Sequence, residues 1–347
     1  MKKKALAWLL YYSGVLWLRT LYNRIFGSKK LIILAYHRVL DIDRNAFAYD
    51  EGVVDASVAD FEWQMKFVSR HFDVITFGDL DRYATREALP KNPLIITFDD
   101  GYKDNYTNAY PILKKYGLPA VIFLATGHIG TDKLFWWDRL AYLIKMTDRK
   151  RMDVAPSLGF DLRGRGERSR AIREVDAWLK TMGDDEKERV LASLEETLDV
   201  DISPAVGEGM LLSWDDVEAM SEGGVEFGAH TDSHRILTNI SSSQEILEEI
   251  EISRKKIEEH IGRPVISFAY PSGKVDERSK ELLAKTGLKF ACTCEGGSNP
   301  IDRDPLQLRR FLVNPSIDRR MFAALLLFPS LMSMNLPGVF SFPAGKR

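Results

Sequence analysis

Two of the six histidines in this 347-residue chain, His230 and His234, bracket a threonine, an aspartate and a serine in GAHTDSH. Such a pair serves three chemistries: a zinc protease on a helix face, a His-x-Asp oxygenase, or a hydrolytic metal site completed by a distant carboxylate. The helical protease motif HExxH needs a glutamate directly after the first histidine, where Thr231 stands, and the preceding VEFGA is strand-like. The oxygenase needs a further ligand downstream, yet the only later histidine is His260, inside a charged helical run. Upstream, PLIITFDDGY sets Asp99 and Asp100 after an apolar run and before Gly101. Neighbouring strand residues point to opposite sides, so one carboxylate can bind a metal while the other handles a proton. Asp100, His230 and His234 together make a two-His, one-carboxylate set. It leaves positions open for water and substrate, as a hydrolytic zinc centre requires.

Residues this far apart need a scaffold whose elements converge. LIILAYHRV (31–39), PLIITF, AVIFLAT (120–126), VEFGAHT (225–231), VISFAYPSG (265–273) and FACTC (290–294) read as buried strands, with a further strand in DVITF. Helical periodicity appears between them in VADFEWQMKFVSRHF (58–72), EILEEIEISRKKIEEH (245–260) and ERSKELLAKTG (277–287). Strand and helix in alternation predict an α/β fold, with parallel strands closed or nearly closed into a (β/α) barrel. His37, Asp99, Asp100, His230 and Pro271-Ser272-Gly273 then fall at the C-terminal ends of four strands, which meet at one mouth. About residues 132–212 the rhythm breaks into helical sequence, read as an insertion in the barrel without a core of its own. Trp136 and Trp137 open that insertion and are candidates to stack on a sugar.

Composition narrows the class. Charges nearly cancel, at a formal net of -2, which leaves no broad basic footprint for nucleic acid. The two cysteines, Cys292 and Cys294, are too close in sequence to staple distant segments and read as buried structural thiols on one strand face. Residues 1–30 combine ALAWLLYYSGVLWL with basic flanks, too short for a simple span and lacking a small-residue cleavage site. They predict an anchor lying in a membrane interface, with the cytoplasmic face favoured over the periplasmic or extracellular one. A second apolar stretch in the C-terminal segment 316–347 is broken by Pro329 and Pro337, so it is not one straight span; both termini are expected on one membrane surface.

LIITFDDGY, GAHTDSH and FAYPSG, in this order, resemble the motifs of polysaccharide deacetylases of carbohydrate esterase family 4, and the resemblance covers about residues 31–315. It implies an irregular (β/α) barrel with a helical insertion, a divalent metal, usually Zn2+, and removal of acetyl groups from an N-acetylated glycan. By position, Asp100, His230 and His234 would hold the metal and Asp99 would be the general base. The family's Arg-x-Pro-aromatic motif reads Ala269-Tyr270-Pro271-Ser272 here, and no histidine follows His260. These departures resemble the biofilm poly-N-acetylglucosamine deacetylase branch, whose acid histidine comes from the first strand, the place of His37. On that resemblance Arg310 would stand in for the missing arginine and orient Asp99. The Ser272 backbone N–H would face the oxyanion, and Tyr270 and Pro271 would contact substrate. A silent glycan-binding module, a deformylase and an O-deacetylase are the alternatives on this scaffold.

Overall fold

The computed structural model describes residues 2–27, 30–83, 89–155, 158–300 and 302–329. Its centre is a nine-stranded sheet. In chain order its strands are β1 (Lys30–Tyr36), β2 (Asp73–Val74), β3 (Pro93–Phe98), β4 (Val121–Leu124), β5 (Glu226–Ala229), β6 (Ser267–Ala269), β7 (Phe290–Cys292), β8 (Asn299–Pro300) and β9 (Phe311–Leu312). The order across the sheet is β7-β6-β5-β4-β3-β1-β8, with β9 also beside β1 and β2 beside β3. Every pairing is parallel except β1 with β8. Parallel strands carry apolar groups on both faces, and β1 and β3 are accordingly buried almost end to end. The segment before β9 bridges the two margins: Leu308 pairs with Cys292 at the end of β7, and Phe311 pairs with Leu34 of β1. The sheet thus curls into an irregular barrel.

Helices α1 (Lys2–Tyr12) and α2 (Val15–Phe26) precede β1. Around the sheet follow α3 (Val58–His71), α4 (Phe77–Arg82) and α5 (Tyr110–Tyr116). Local sequence sets their limits: Ser57 caps α3 by accepting from the Asp60 N–H, and Gly117 ends α5 in the left-handed conformation. The expected strand DVITF is only two residues long. Thr76 and Asp79 form a capping box, so the chain turns into α4 at Phe77.

Between β4 and β5 lies the insertion: α6 (Trp136–Met146), an antiparallel hairpin (Arg151–Ala155 with Leu158–Asp161), α7 (Arg165–Leu179) and α8 (Asp184–Leu198). The expectation that it lacks its own core is corrected here. Leu140, Ile144, Phe160, Val175, Leu191 and Leu194 belong to a buried apolar cluster separate from that of the barrel. The apolar faces of its helices turn toward one another and the hairpin, which periodicity within single helices does not disclose.

After the insertion come α9 (Trp214–Glu222), α10 (Ser243–Ile261), α11 (Glu277–Ala284) and α12 (Arg319–Leu327). Helix α12 is buried from Met321 through Leu327 and packs on α1, α2 and α3. Its apolar sequence therefore packs within the body of the protein; the rest of that stretch, with Pro337, lies outside the described residues.

Candidate active site

The C-terminal ends of the strands meet at a cavity of about 430 Å³, whose lining includes His37, Asp99, Asp100, His230, His234 and Ser272. His37 follows β1, the two aspartates follow β3, His230 follows β5 and Ser272 follows β6. Among the described residues, four of the five non-glycine residues with positive φ sit here: Asp100 (75°), Thr231 (64°), His234 (58°) and Ser272 (56°). Each such conformation costs on the order of 1–3 kcal/mol and persists only where surrounding structure enforces it. Gly101, at φ 83°, makes the turn after the aspartates; a Cβ there would lie 2.7 Å from Ile129 and 2.8 Å from Leu124.

Asp100, His230 and His234 are all buried, and their ligand atoms lie within 4.8 Å of one another. The Nε2 atoms of His230 and His234 stand 3.5 and 3.4 Å from Asp100 Oδ1. That oxygen has no hydrogen-bond partner among the described residues. His230 Nδ1 lies 2.6 Å from the Ala269 carbonyl, which can only accept, so Nδ1 carries a proton and donates while Nε2 faces Asp100. Burial, then the neighbouring His230, pushes His234 well below the usual imidazole range and keeps it neutral. A buried carboxylate oxygen left unpartnered against the Nε2 atoms of two imidazoles is a donor set that fits a divalent cation.

Asp99 is treated differently from its neighbour. Arg310 grips it with both arms, Nη1 to Oδ1 at 2.7 Å and Nη2 to Oδ2 at 2.7 Å. The guanidinium is itself held by Nε donating to the Thr293 carbonyl at 3.1 Å, and it is fully buried. Burial alone would raise the Asp99 carboxyl, but the Arg310 charge and hydrogen bonds hold it at about 2. It is a carboxylate at any working pH, fixed in orientation.

His37 is half-buried at the rim, and its Nδ1 lies 3.1 Å from Asp55 Oδ2, which also accepts the His37 backbone N–H. Burial alone would lower the imidazole, yet the Asp55 charge and hydrogen bond, with smaller contributions from Asp100 and Asp99, raise it to about 9. Asp55 is itself pushed up by burial and drawn back by His37. The pair holds a proton at the cavity wall near neutral pH.

Residues 86–291, more than half of the chain, match the polysaccharide deacetylase family. The chain belongs to this family. His37 and Arg310 both fall outside the matched stretch of the deacetylase. A poly-beta-1,6-N-acetyl-D-glucosamine N-deacetylase of Staphylococcus aureus is 35% identical over 124 residues, 33% of this chain and 43% of that enzyme, so the match spans less than half of the relative's length. Among solved structures, the Streptococcus pyogenes deacetylase PplD covers 84% of the chain and 96% of its own at TM-score 0.57 and 19% identity. IcaB from Ammonifex degensii covers 87% and 98% at TM-score 0.56 and 19% identity. These two likenesses bear out the irregular (β/α) barrel.

Several expected contacts need correction. Tyr270 is fully buried and donates its hydroxyl to the Leu306 carbonyl at 3.1 Å, and Pro271 is buried beside it; neither lines the cavity of the deacetylase. Trp136 is absent from the lining and sits under Lys187 and Lys180, whose Nζ atoms are 5.0 and 5.8 Å from its ring. Trp137 does line the cavity, but its ring packs edge-on against His234 at 4.7 Å. Cys292 is a buried thiol as expected, whereas Cys294, beyond the end of β7, is only half-buried and reaches the cavity lining.

Two functional neighbours escaped the sequence. Asp55 sits in an unremarkable EGVVDAS loop, and only the short pairing of Arg38–Val39 with Val54–Ala56 brings it to His37. Behind Trp137, its Nε1–H donates to Tyr102 Oη at 2.8 Å, and Tyr102 donates to the buried Asp138 at 2.7 Å. Tyr102 directly follows the DDG turn, a weak signal that the turn is braced from behind.

Proposed function

We propose that this deacetylase removes N-acetyl groups from an amino-sugar glycan by metal-dependent hydrolysis. The reading rests on one observation above the others: the unpartnered Asp100 Oδ1 facing the Nε2 atoms of His230 and His234. A divalent cation, of which Zn2+ suits this mixed nitrogen and oxygen set, supplies Lewis-acid polarisation of a carbonyl and lowers the pKa of water.

The chain's own residues divide the remaining work. Asp99, ionised and held by Arg310, accepts a proton from the attacking water as its oxygen bonds to the acetamide carbon. Arg310 prevents the carboxylate from rotating away. The Ser272 backbone N–H donates to the carbonyl oxygen as negative charge develops there. His37, kept protonated by Asp55, gives its proton to the sugar nitrogen while the carbon–nitrogen bond breaks, yielding acetate and a free amine. The staphylococcal relative makes a β-1,6-linked N-acetylglucosamine oligomer the first substrate to try.

Acetate release from such oligomers, measured with and without a chelator, tests this reading. Release that stops on chelation and returns with Zn2+ is expected, and His230→Ala is expected to lower it by at least about 10³-fold with loss of bound metal. Binding of oligomers without acetate release under any metal would instead identify a glycan-binding module. Release of formate, or of acetate only from O-acetylated sugars, would move the activity to a sister chemistry.

A further inference from the structure

The α1–α2 hairpin packs Leu6, Ala7, Leu10 and Leu16 against the barrel yet turns most of its large apolar side chains outward. Among the described side chains of α2 the buried ones are polar, Thr20 and Asn23, while Leu18, Leu21, Tyr22, Ile25 and Phe26 are each more than two-fifths exposed. Of the eleven exposed large apolar side chains among the described residues, nine belong to this hairpin, and five of those nine are aromatic. A helix facing water shows the opposite arrangement. Nor is the hairpin loosely placed. Thr20 Oγ1 lies 3.2 Å from His71 Nδ1, Arg19 Nε donates to the Leu327 carbonyl at 3.2 Å, Lys91 Nζ donates to the Ile25 carbonyl at 2.9 Å, and Ala7 is buried in the barrel's apolar cluster. The body therefore fixes which face points outward.

Charge indicates what that face meets. Lys2–Lys4 begin the hairpin, Lys29 and Lys30 follow it, and no acidic residue precedes Asp41. The rest of the chain more than balances these charges, giving the net of -2. Tyrosine and tryptophan with flanking lysine are the residues that settle at the boundary between headgroup and acyl chain. Among the described residues no helix is long and apolar enough to cross a bilayer.

We propose that the outer face of α1 and α2 lies in the interface of a membrane bearing anionic lipid and holds the deacetylase on that surface without crossing it. This placement is independent of the proposed chemistry. Binding should grow with the anionic fraction and fall with salt, since both apolar insertion and lysine attraction contribute.

Flotation of the full-length protein with vesicles tests it, using phosphatidylcholine alone and phosphatidylcholine with ~30% phosphatidylglycerol. The protein is expected to float with the anionic vesicles at least about tenfold more strongly than with neutral ones, and 0.5 M salt to remove most of that difference. The variant Leu18→Glu/Tyr22→Glu/Phe26→Glu should stay in the dense fraction while melting like the unaltered protein. If that variant fails to fold, Tyr22→Glu alone should weaken flotation by several-fold. The proposal is overturned if the unaltered protein floats with neither vesicle. It is equally overturned if the face closes a dimer that the triple substitution splits, or if flotation appears only after residues 330–347 are removed, which would make them its cover.

Discussion

The barrel mouth and the N-terminal hairpin break the same rule in opposite directions. At the mouth, Asp99, Asp100, His230, His234 and Arg310 are buried polar groups; on the hairpin, Tyr12, Leu18 and Phe26 are exposed apolar ones. Each departure has its own compensation. The buried charges are offset by a bidentate ion pair and gathered into a ligand set suited to a cation, whereas the exposed apolar face has no partner within the described chain. Buried polarity that is paired reveals chemistry, while exposed apolarity that is rigidly presented reveals a surface to be covered. The two should therefore respond to substitution very differently.

The largest effect is expected at the mouth. Arg310→Met leaves Asp99 buried without its counter-charge and should cost about 3–5 kcal/mol in urea unfolding. Adding Asp99→Asn to it should restore part of that loss, because the double variant no longer buries a lone carboxylate. Failure of the double variant to recover would mean that Arg310 acts mainly by packing, and the contrast with the hairpin would weaken.

An intermediate effect should come from Asp55→Asn. Asp55 is the main influence that lifts His37 to about 9, so the high-pH limb of the acetate-release profile should move toward neutrality by about one unit or more. A cation neutralising Asp100 lowers His37 in both proteins, so the comparison between them is the informative quantity. Stability carries the matching sign. His37 is raised on folding, so its contribution is complete below its ordinary 6.5 and is lost as pH rises through about 9. Urea midpoints measured at pH 6 and pH 10 should differ less in Asp55→Asn than in the unaltered protein. An unchanged alkaline limb would remove His37 from the role of acid.

The smallest effect belongs to the hairpin's outer face. Tyr22→Gln, at a half-exposed position without a hydrogen bond among the described residues, should change unfolding free energy by less than about 0.5 kcal/mol. A larger loss, seen as a lowered urea midpoint, would mean that this face is packed after all.

The site was legible in sequence wherever a strand delivers its residue directly. Asp99, Asp100 and His230 each stand at the end of an apolar run, and His234 is tied to His230 by a short turn. Arg310 was legible only through the absence of an arginine elsewhere. Asp55 was not legible, because its nearness to His37 depends on a two-residue pairing with a register shift that no periodicity encodes. In the fold, long buried strands were plain, but the insertion's separate core was hidden. Its apolar residues form a cluster through contacts among three helices and a hairpin, not along any one of them. Tyr270 and Pro271 misled for a related reason: a family motif preserves position along the chain, while the packing of its side chains depends on neighbours that differ.

Closure of the barrel carries a further consequence for biosynthesis. The segment that bridges β7 to β1 also carries Arg310, 211 residues after the carboxylate it neutralises. At a synthesis rate of 5–20 residues per second, Asp99 would wait roughly 10–40 s between its own translation and that of its guanidinium. Until then its β3 strand end keeps a carboxylate that cannot be buried without loss. The mouth around Asp99 is thus expected to be completed only after the segment carrying Arg310 has been made, when the strand that follows it adds structure and the guanidinium adds charge in the same step.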